Sequence, residues 1–479
     1  MAGEFDVRHD RYRIHDGIDM NIWNGKHVLI LGAARQGQAL TRFLCSRGAI
    51  VTLNDKQPDA KLTSAKAALK DLNIRWITGG HPLDALESIE LVCLSGGIPL
   101  ANPLVIEAVR CGIPVSNDTQ IFMQEVPCQV IGITGSAGKT TTTTLVGRIA
   151  TAGLASPRTA WIGGNIGNPL ISDLDRMRKG DLVIMEVSSF QLEQMTSSPH
   201  LAAVLNITPN HLDRHGTMEA YTAAKARILA FQNINDIAIL NREDQGSIGL
   251  ASSCKGSIVT FGLTAPESDN PATFIQEHQV CYSAGGKVTP LMDVADVSLR
   301  GEHNLMNVLA ACAIASAAGF SSDAIKNGIS DFSGVPHRLQ FVREYHGARW
   351  YNDSIATAPE RTMAAIRSFS EPIILLAGGR DKDLPWQEFA TLAHQRVTHL
   401  ILFGEAAGRI LEVLSSYPGT SNIVTIDKCT SLHDAVEIAA VHAKAGYVVL
   451  LSPGGTSFDE FLDFEQRGEV FSKWVQQLL

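Results

Sequence analysis

No Cys-x-x-Cys pair occurs in this chain. Its eight cysteines (Cys45, Cys93, Cys111, Cys128, Cys254, Cys281, Cys312 and Cys429) are scattered, and several sit inside apolar runs such as LVCLS around Cys93. That usage reads as reduced core cysteines of a cytosolic protein and speaks against a disulfide framework. A lysine/arginine block is also missing, and the net charge is −9. Nucleic acid and anionic membrane surfaces are therefore not expected partners. No apolar run approaches a membrane span, so no integral membrane segment is expected. The first residues, MAGEFDVRHDRYRIHDG, are polar and lack the apolar segment of a signal peptide. There is no repeat period and no low-complexity tract. These absences leave a soluble cytoplasmic protein, and 479 residues supply cores for about two to four domains.

The richest stretch is Val130–Leu145, VIGITGSAGKTTTTTL. A β-branched apolar run turns through Gly135, Ser136, Ala137 and Gly138 and enters a threonine-rich segment led by Lys139. Glycines let backbone N–H groups approach a polyphosphate, and a helix N-terminus adds partial positive charge. Lys139 would reach the outer phosphates and Thr140 would ligate Mg²⁺. The first glycine of the longer P-loop pattern is replaced by Ile133, so this is the shorter GSAGKT form. The plain alternative is a strand–turn–helix with a surface lysine.

Around it the chain alternates strands and helices. Residues 1–24 read as an N-terminal extension, and 25–126 as a Rossmann-like domain. There a strand at His27–Leu31 leads through Gly32 and Gly37 to a helix, then to a strand ending at Asp55. An acidic residue at that place commonly binds a sugar or base. The spacing is G-x-x-x-x-G, so a dinucleotide is only weakly indicated. A later strand, Leu91–Leu94, runs into the turn Ser95–Pro99, where open sheets place ligands. Residues 127–334 form a central P-loop ATPase-type α/β domain. In it Glu186 ends a strand, a usual position for an Mg²⁺ contact. Lys225 lies mid-helix, where solvation is the ordinary reading, and Asn304 and Asn307 share one helix face as caps or purine readers. Past Gly334-Val335-Pro336, residues 335–479 alternate again as a second Rossmann-like domain. The fold class is three-domain α/β.

In order along the chain, GSAGKTT, GGNIG, EVSSFQLE, NHLDRHG, YTAAKARIL, GEHNLMN, GVPHRLQ, NDSIATAP and LSPGGTSFDEFLDFEQRG resemble the Mur ligases of bacterial cell-wall synthesis. Within that family they are similar to the branch that adds D-glutamate to UDP-N-acetylmuramoyl-L-alanine. The resemblance implies ATP-driven amide formation through an acyl phosphate, in a monomer using about two Mg²⁺ ions. It implies ATP contacts from Gly135, Ser136, Ala137, Gly138, Lys139, Thr140, Thr141, Asn304, Asn307, Arg338 and Asp353. Thr140, Glu186, His211 and Lys225 become the metal set, Lys225 as a carbamate, with Lys139, Glu186, His211 and Lys225 catalytic. For the UDP substrate it implies Arg35, Gln36, Asp55, Lys56, Ser95 and Asn165. For D-glutamate it implies Thr357, Lys382, Ser457 and Phe464.

The chain also departs from its relatives. Ile355 stands where some have lysine, Gly96 where some have proline, and Lys56 where some have a small polar residue. These changes bear on substrate affinity more than on reaction type. Another Mur-type ligase with a different amino acid is the alternative. The Asp-Asn-Pro-Arg motif of the diamino-acid enzymes, however, is missing from the third domain.

Overall fold

The computed structural model describes residues 22–165, 167, 169–210, 212–299, 301–381 and 384–478. Short apolar runs set its architecture, because strands buried on both faces need helices on each side of a parallel sheet. The first sheet has β1 (His27–Leu31), β2 (Ile50–Asp55), β3 (Arg75–Thr78), β4 (Leu91–Leu94) and β5 (Val115–Asn117). They lie in the order β3-β2-β1-β4-β5, all parallel. The carboxyl ends of β1 and β4 flank the reversal of strand order, where ligands bind such sheets.

The helix after β1 runs Arg35–Ser46, so it starts before Gly37 rather than after it. Gly37 sits inside the helix because a Cβ there would lie 1.8 Å from the Gly32 carbonyl oxygen. Trp23, within the expected extension, is buried, and its Nε1 donates to Glu125 at 2.9 Å. Residues 1–21 lie outside the described residues.

The central sheet begins with β6 (Gln129–Thr134), β7 (Ala160–Gly164), β8 (Leu182–Glu186) and β9 (Leu201–Val204). It continues with β10 (Ile237–Asn241) and β11 (Ser257–Phe261), then β12 (Ala272–Gln276), β13 (Gln279–Ala284) and β14 (Lys287–Asp293). The order is β14-β13-β12-β11-β10-β9-β6-β8-β7. The pairings from β7 to β12 are parallel, and β12–β13–β14 form an antiparallel tail. The glycine loop therefore leaves the sheet between β8 and β9, whose ends carry Glu186 and Asn206.

The third sheet has β15 (Gln340–Tyr345), β16 (Ala348–Asn352), β17 (Ile373–Gly378), β18 (Val397–Phe403), β19 (Thr425–Lys428) and β20 (Val448–Gly454). Its order is β15-β16-β20-β17-β18-β19, parallel except for the edge strand β15. The chain divides into two compact units. One holds the first two sheets and takes in His303–Ser330; the other holds the third sheet with Ser298–Glu302 and everything from Asp331 on.

Candidate active site

Gly138 is the N-cap of the helix Lys139–Gly153, at φ +80° and with no side-chain cap. A left-handed residue turns the chain sharply into the helix, and the first helical N–H groups have no partner within it. A Cβ on Gly138 would meet Asn307 Oδ1 at 2.1 Å, so the Asn307 side chain lies directly on the loop. Asn307 also donates to Asn304 Oδ1 at 3.2 Å, which links the two asparagines. On the other side, Asn206 Oδ1 accepts from Ala137 N at 2.8 Å and its backbone oxygen accepts from Ser136 N at 2.9 Å. Ser136 Oγ lies 3.0 Å from the Tyr221 hydroxyl. These neighbours fix the conformation of the loop. Thr142 and Thr143 are fully buried, so most of the threonine run packs the helix and only its start faces the loop.

Lys139 curls back over the loop and donates to the carbonyl oxygens of Gly135 at 2.9 Å and Ser136 at 3.4 Å. Thr140 Oγ1 donates to Glu186 Oε2 at 2.8 Å, and Asn165 Nδ2 donates to Glu186 Oε1 at 2.9 Å. Glu186 is 1% exposed. Asn165, expected at the muramoyl substrate, thus orients the carboxylate. A hydroxyl and a carboxylate so paired are hard oxygen donors that fit Mg²⁺ with phosphate and water completing the shell. Among the described residues no group of three or more His, Cys, Asp and Glu is assembled as a protein-only metal cage. His211 lies outside the described residues.

Lys225 contradicts the solvated mid-helix reading, being 1% exposed within the helix Met218–Ala230. Its Nζ donates to the Gly135 carbonyl at 2.9 Å and sits 4.8 Å from the Tyr221 ring centroid. Burial and the neighbouring Lys139 charge push its pKa down to about 7, with Glu186 opposing them.

The helix Leu212–His215, just past His211, reaches the first sheet. Arg214 donates to the carbonyl oxygens of Gly96 at 3.1 Å and Ile98 at 2.8 Å, with its guanidinium 3.7 Å from the Phe190 ring centroid. His215 meets Ser189 Oγ at 2.9 Å and Glu193 at 3.1 Å. Arg214, Asn206 and Tyr221 carry roles that the sequence reading left unassigned. Two of them stand inside motifs already singled out, and only their neighbours drew notice.

In the first sheet, the helix from Arg35 begins without a side-chain cap, leaving N–H groups for an anion. Around it, Ser95 Oγ donates to Gly32 O at 3.0 Å and Gln36 Oε1 accepts from Gly96 N at 3.1 Å. Arg35 reaches the Gly167 carbonyl at 3.0 Å. Asp55 accepts from the backbone N–H groups of Ala33 and Gln57, each at 2.8 Å. Lys56 is exposed. Arg35, Gln36, Asp55 and Ser95 therefore converge on one sheet rim.

The third sheet gathers a rim of its own. Asp353 is buried, accepting from Ser452 Oγ at 2.7 Å and Leu339 N at 3.2 Å, and burial pushes it up to about 7 against Arg338 and Arg361. Arg467, fully buried, donates to Ser354 Oγ at 2.9 Å, Ser354 O at 2.8 Å and Gly455 O at 3.2 Å. It ties the turn before Ser457 to the turn before Thr357. Ser457 is 2% exposed, and Phe464 opens the final helix with its ring 6.4 Å from that of His337. Lys382 lies outside the described residues.

Three family descriptions match the chain: "Mur ligase MurD-like, N-terminal domain" over 26–117, "Mur ligase middle domain" over 133–315, and "Mur ligase, glutamate ligase domain" over 337–455. A UDP-N-acetylmuramoylalanine--D-glutamate ligase of Symbiobacterium thermophilum is 38% identical, covering 95% of this chain and 98% of its own. The enzyme of that name from Pelotomaculum thermopropionicum is 39% identical, over 95% and 98%. Among solved structures, the UDP-N-acetylmuramate-alanine ligase MurC from Thermotoga maritima aligns with a TM-score of 0.58 at 18% identity. That alignment covers 94% of this chain and 99% of MurC, and supports the fold alone. A glycine loop paired with a strand-end carboxylate, in a chain matched domain by domain and nearly end to end by these enzymes, places it in the Mur ligase family.

Proposed function

We propose that this protein joins D-glutamate to UDP-N-acetylmuramoyl-L-alanine with cleavage of ATP, in peptidoglycan precursor synthesis. The observation that carries the ATP chemistry is the Thr140–Glu186–Asn165 chain at the mouth of the glycine loop. The amino acid and the muramoyl substrate rest on the near-full-length D-glutamate ligase relatives. Of the described residues, no helix is long and apolar enough to cross a membrane. We assign a cytoplasmic monomer with domains at 25–126, 127–334 and 335–479.

The substrate carboxylate attacks the γ-phosphorus of ATP, the bond to the β-phosphate oxygen breaks, and ADP leaves. The D-glutamate amine then attacks the acyl phosphate carbon, and phosphate departs as the amide forms. Such transfer asks mostly for positioning and charge neutralisation. The N–H groups at the start of Lys139–Gly153 and the Lys139 ammonium hold the phosphates. Thr140 and Glu186 would hold Mg²⁺, which supplies further charge neutralisation when bound. A second ion is assigned to His211 and Lys225.

A lysine with its pKa near 7 presents a neutral amine, able to attack CO₂ and lose a proton to give a carbamate. The carbamate would offer an anionic oxygen to a metal ion, which an ammonium would repel. Arg35, Gln36, Asp55, Lys56 and Ser95 are assigned to the UDP moiety. Arg338 and Asp353 are assigned to ATP, and Thr357, Lys382, Ser457 and Phe464 to D-glutamate. Phosphate release measured with each amino acid in turn tests the reading. Release with L-alanine or diaminopimelate, and none with D-glutamate, would overturn it.

A further inference from the structure

The turn after β3, Gly79–Pro82, has no place in the chemistry above. It contains His81, whose neutral tautomer is fixed by its neighbour Asn54. Asn54, the penultimate residue of β2, is fully buried, and its Nδ2 donates to the carbonyl oxygens of Ile77 at 2.9 Å and Gly80 at 2.7 Å. Both amide hydrogens are thereby committed, and the opposite orientation would set three carbonyl oxygens against each other. Asn54 Oδ1 is then the atom facing His81 Nδ1 at 2.5 Å, and a carbonyl oxygen only accepts. Nδ1 must carry the ring proton, which leaves the neutral ring's lone pair on Nε2. Burial holds this imidazole below its ordinary value, reinforced by Lys56 and opposed by Asp55. Among the described residues Nε2 has no hydrogen-bond partner, and the ring is only half-buried.

Position gives this lone pair a use. The uncapped helix start at Arg35 follows β1, Asp55 ends β2, and His81 follows β3, so the three step outward along one sheet rim. Strands are spaced by about 4.8 Å, so a ligand with its diphosphate at the helix start extends its nucleoside toward β2 and β3. The Asp55 oxygens already accept from Ala33 and Gln57 N–H. His81 Nε2 is an acceptor held in a fixed tautomer beside them.

We propose that His81 is a further nucleoside-binding residue, its Nε2 accepting a hydrogen bond from the uridine. This rests on the assignment of the first domain to the UDP moiety. The donor is either uracil N3–H or the ribose 2′-hydroxyl, and substrate analogues separate the two. Calorimetric titration of the full chain with UDP, N3-methyl-UDP and 2′-deoxy-UDP would compare wild type with His81→Ala and His81→Phe. The phenylalanine keeps a ring of similar shape without a lone pair.

We expect UDP affinity to fall about tenfold in both variants, with ATP affinity unchanged. One analogue should bind wild type about tenfold more weakly than UDP and no longer distinguish wild type from the variants. Loss of that distinction with N3-methyl-UDP assigns the base, and with 2′-deoxy-UDP the ribose. Equal UDP affinity in wild type and variants would overturn the proposal while leaving the domain assignment intact. So would a loss in the variants that is the same for all three ligands. Failure of wild type to bind UDP at all would overturn the assignment of the domain, and the proposal with it. The wild-type comparison of analogues needs no variant to fold.

Discussion

Lys139 Nζ and Lys225 Nζ both donate to the same acceptor, the carbonyl oxygen of Gly135, each at 2.9 Å. Two ammonium groups on one oxygen repel, and Lys225, the buried one, gives up its charge more readily. A neutral amine there suits carbamate formation. We predict that Lys225→Ala loses at least about a hundredfold in kcat and regains part of it with short-chain carboxylic acids, which restore an anionic oxygen. Initial-rate phosphate release with and without added acetate measures this. Full activity of the untreated variant would contradict the carbamate role.

Glu186 is gripped on both oxygens, by Thr140 and by Asn165. Glu186→Gln keeps the shape but loses the charge, and its amide end would face one of two donors. We expect kcat to drop by about 10² to 10³, with a higher Mg²⁺ concentration needed for half-maximal rate. Asn165→Ala should show a milder fall in rate with the same shift in Mg²⁺ dependence. An unchanged Mg²⁺ titration in both variants would remove Glu186 from the metal site.

The sheets were legible because their strands are short β-branched runs punctuated by glycine, and the phosphate loop because its order of residues is tied to one mechanism. Burial of Lys225 was not legible locally. Its helix neighbours are alanine, arginine and isoleucine, and it is β6 and the loop, distant in sequence, that enclose it. Asn206 and Tyr221 were missed for a related reason, since an asparagine after a strand or a tyrosine in a helix has many uses. For Asn165 the motif indicated a substrate contact but not the hydrogen bond to Glu186; a position in a motif does not say which protein neighbour a side chain meets. His211 and Lys382 fall outside the described residues.

Asp353 carries a pH signature. Its carboxyl is pushed up to about 7 in the folded chain from an ordinary 3.8. Between those values the folded state binds more protons than the unfolded one, so stability falls as pH rises through the window. We predict that the calorimetric transition of the second compact unit moves to lower temperature between pH 5 and about 7, and levels off above it. Asp353→Asn can keep the Leu339 and Ser452 partners without a charge, and should flatten that dependence and raise the transition at pH 8. A wild-type transition that rises over the same range would refute the assignment.

Arg214 fastens the first sheet's Ser95–Ile98 turn to the central domain. Its two donors go to separate carbonyl oxygens, on Gly96 and Ile98, while its flat face covers Phe190. A lysine has a single nitrogen in place of the planar fork, so it cannot span the two carbonyl oxygens in the guanidinium's geometry, and it loses the stacking. We assign Ser95 to the UDP-substrate rim, and on that assignment loosening this turn should weaken the muramoyl substrate while the glycine loop is unaffected. We predict that Arg214→Lys and Arg214→Ala raise KM for UDP-N-acetylmuramoyl-L-alanine by about tenfold or more, with Arg214→Lys the milder. KM for ATP should stay within about twofold. Steady-state kinetics with each substrate varied in turn distinguishes this from a general loss of structure, which would lower kcat and affect both substrates together.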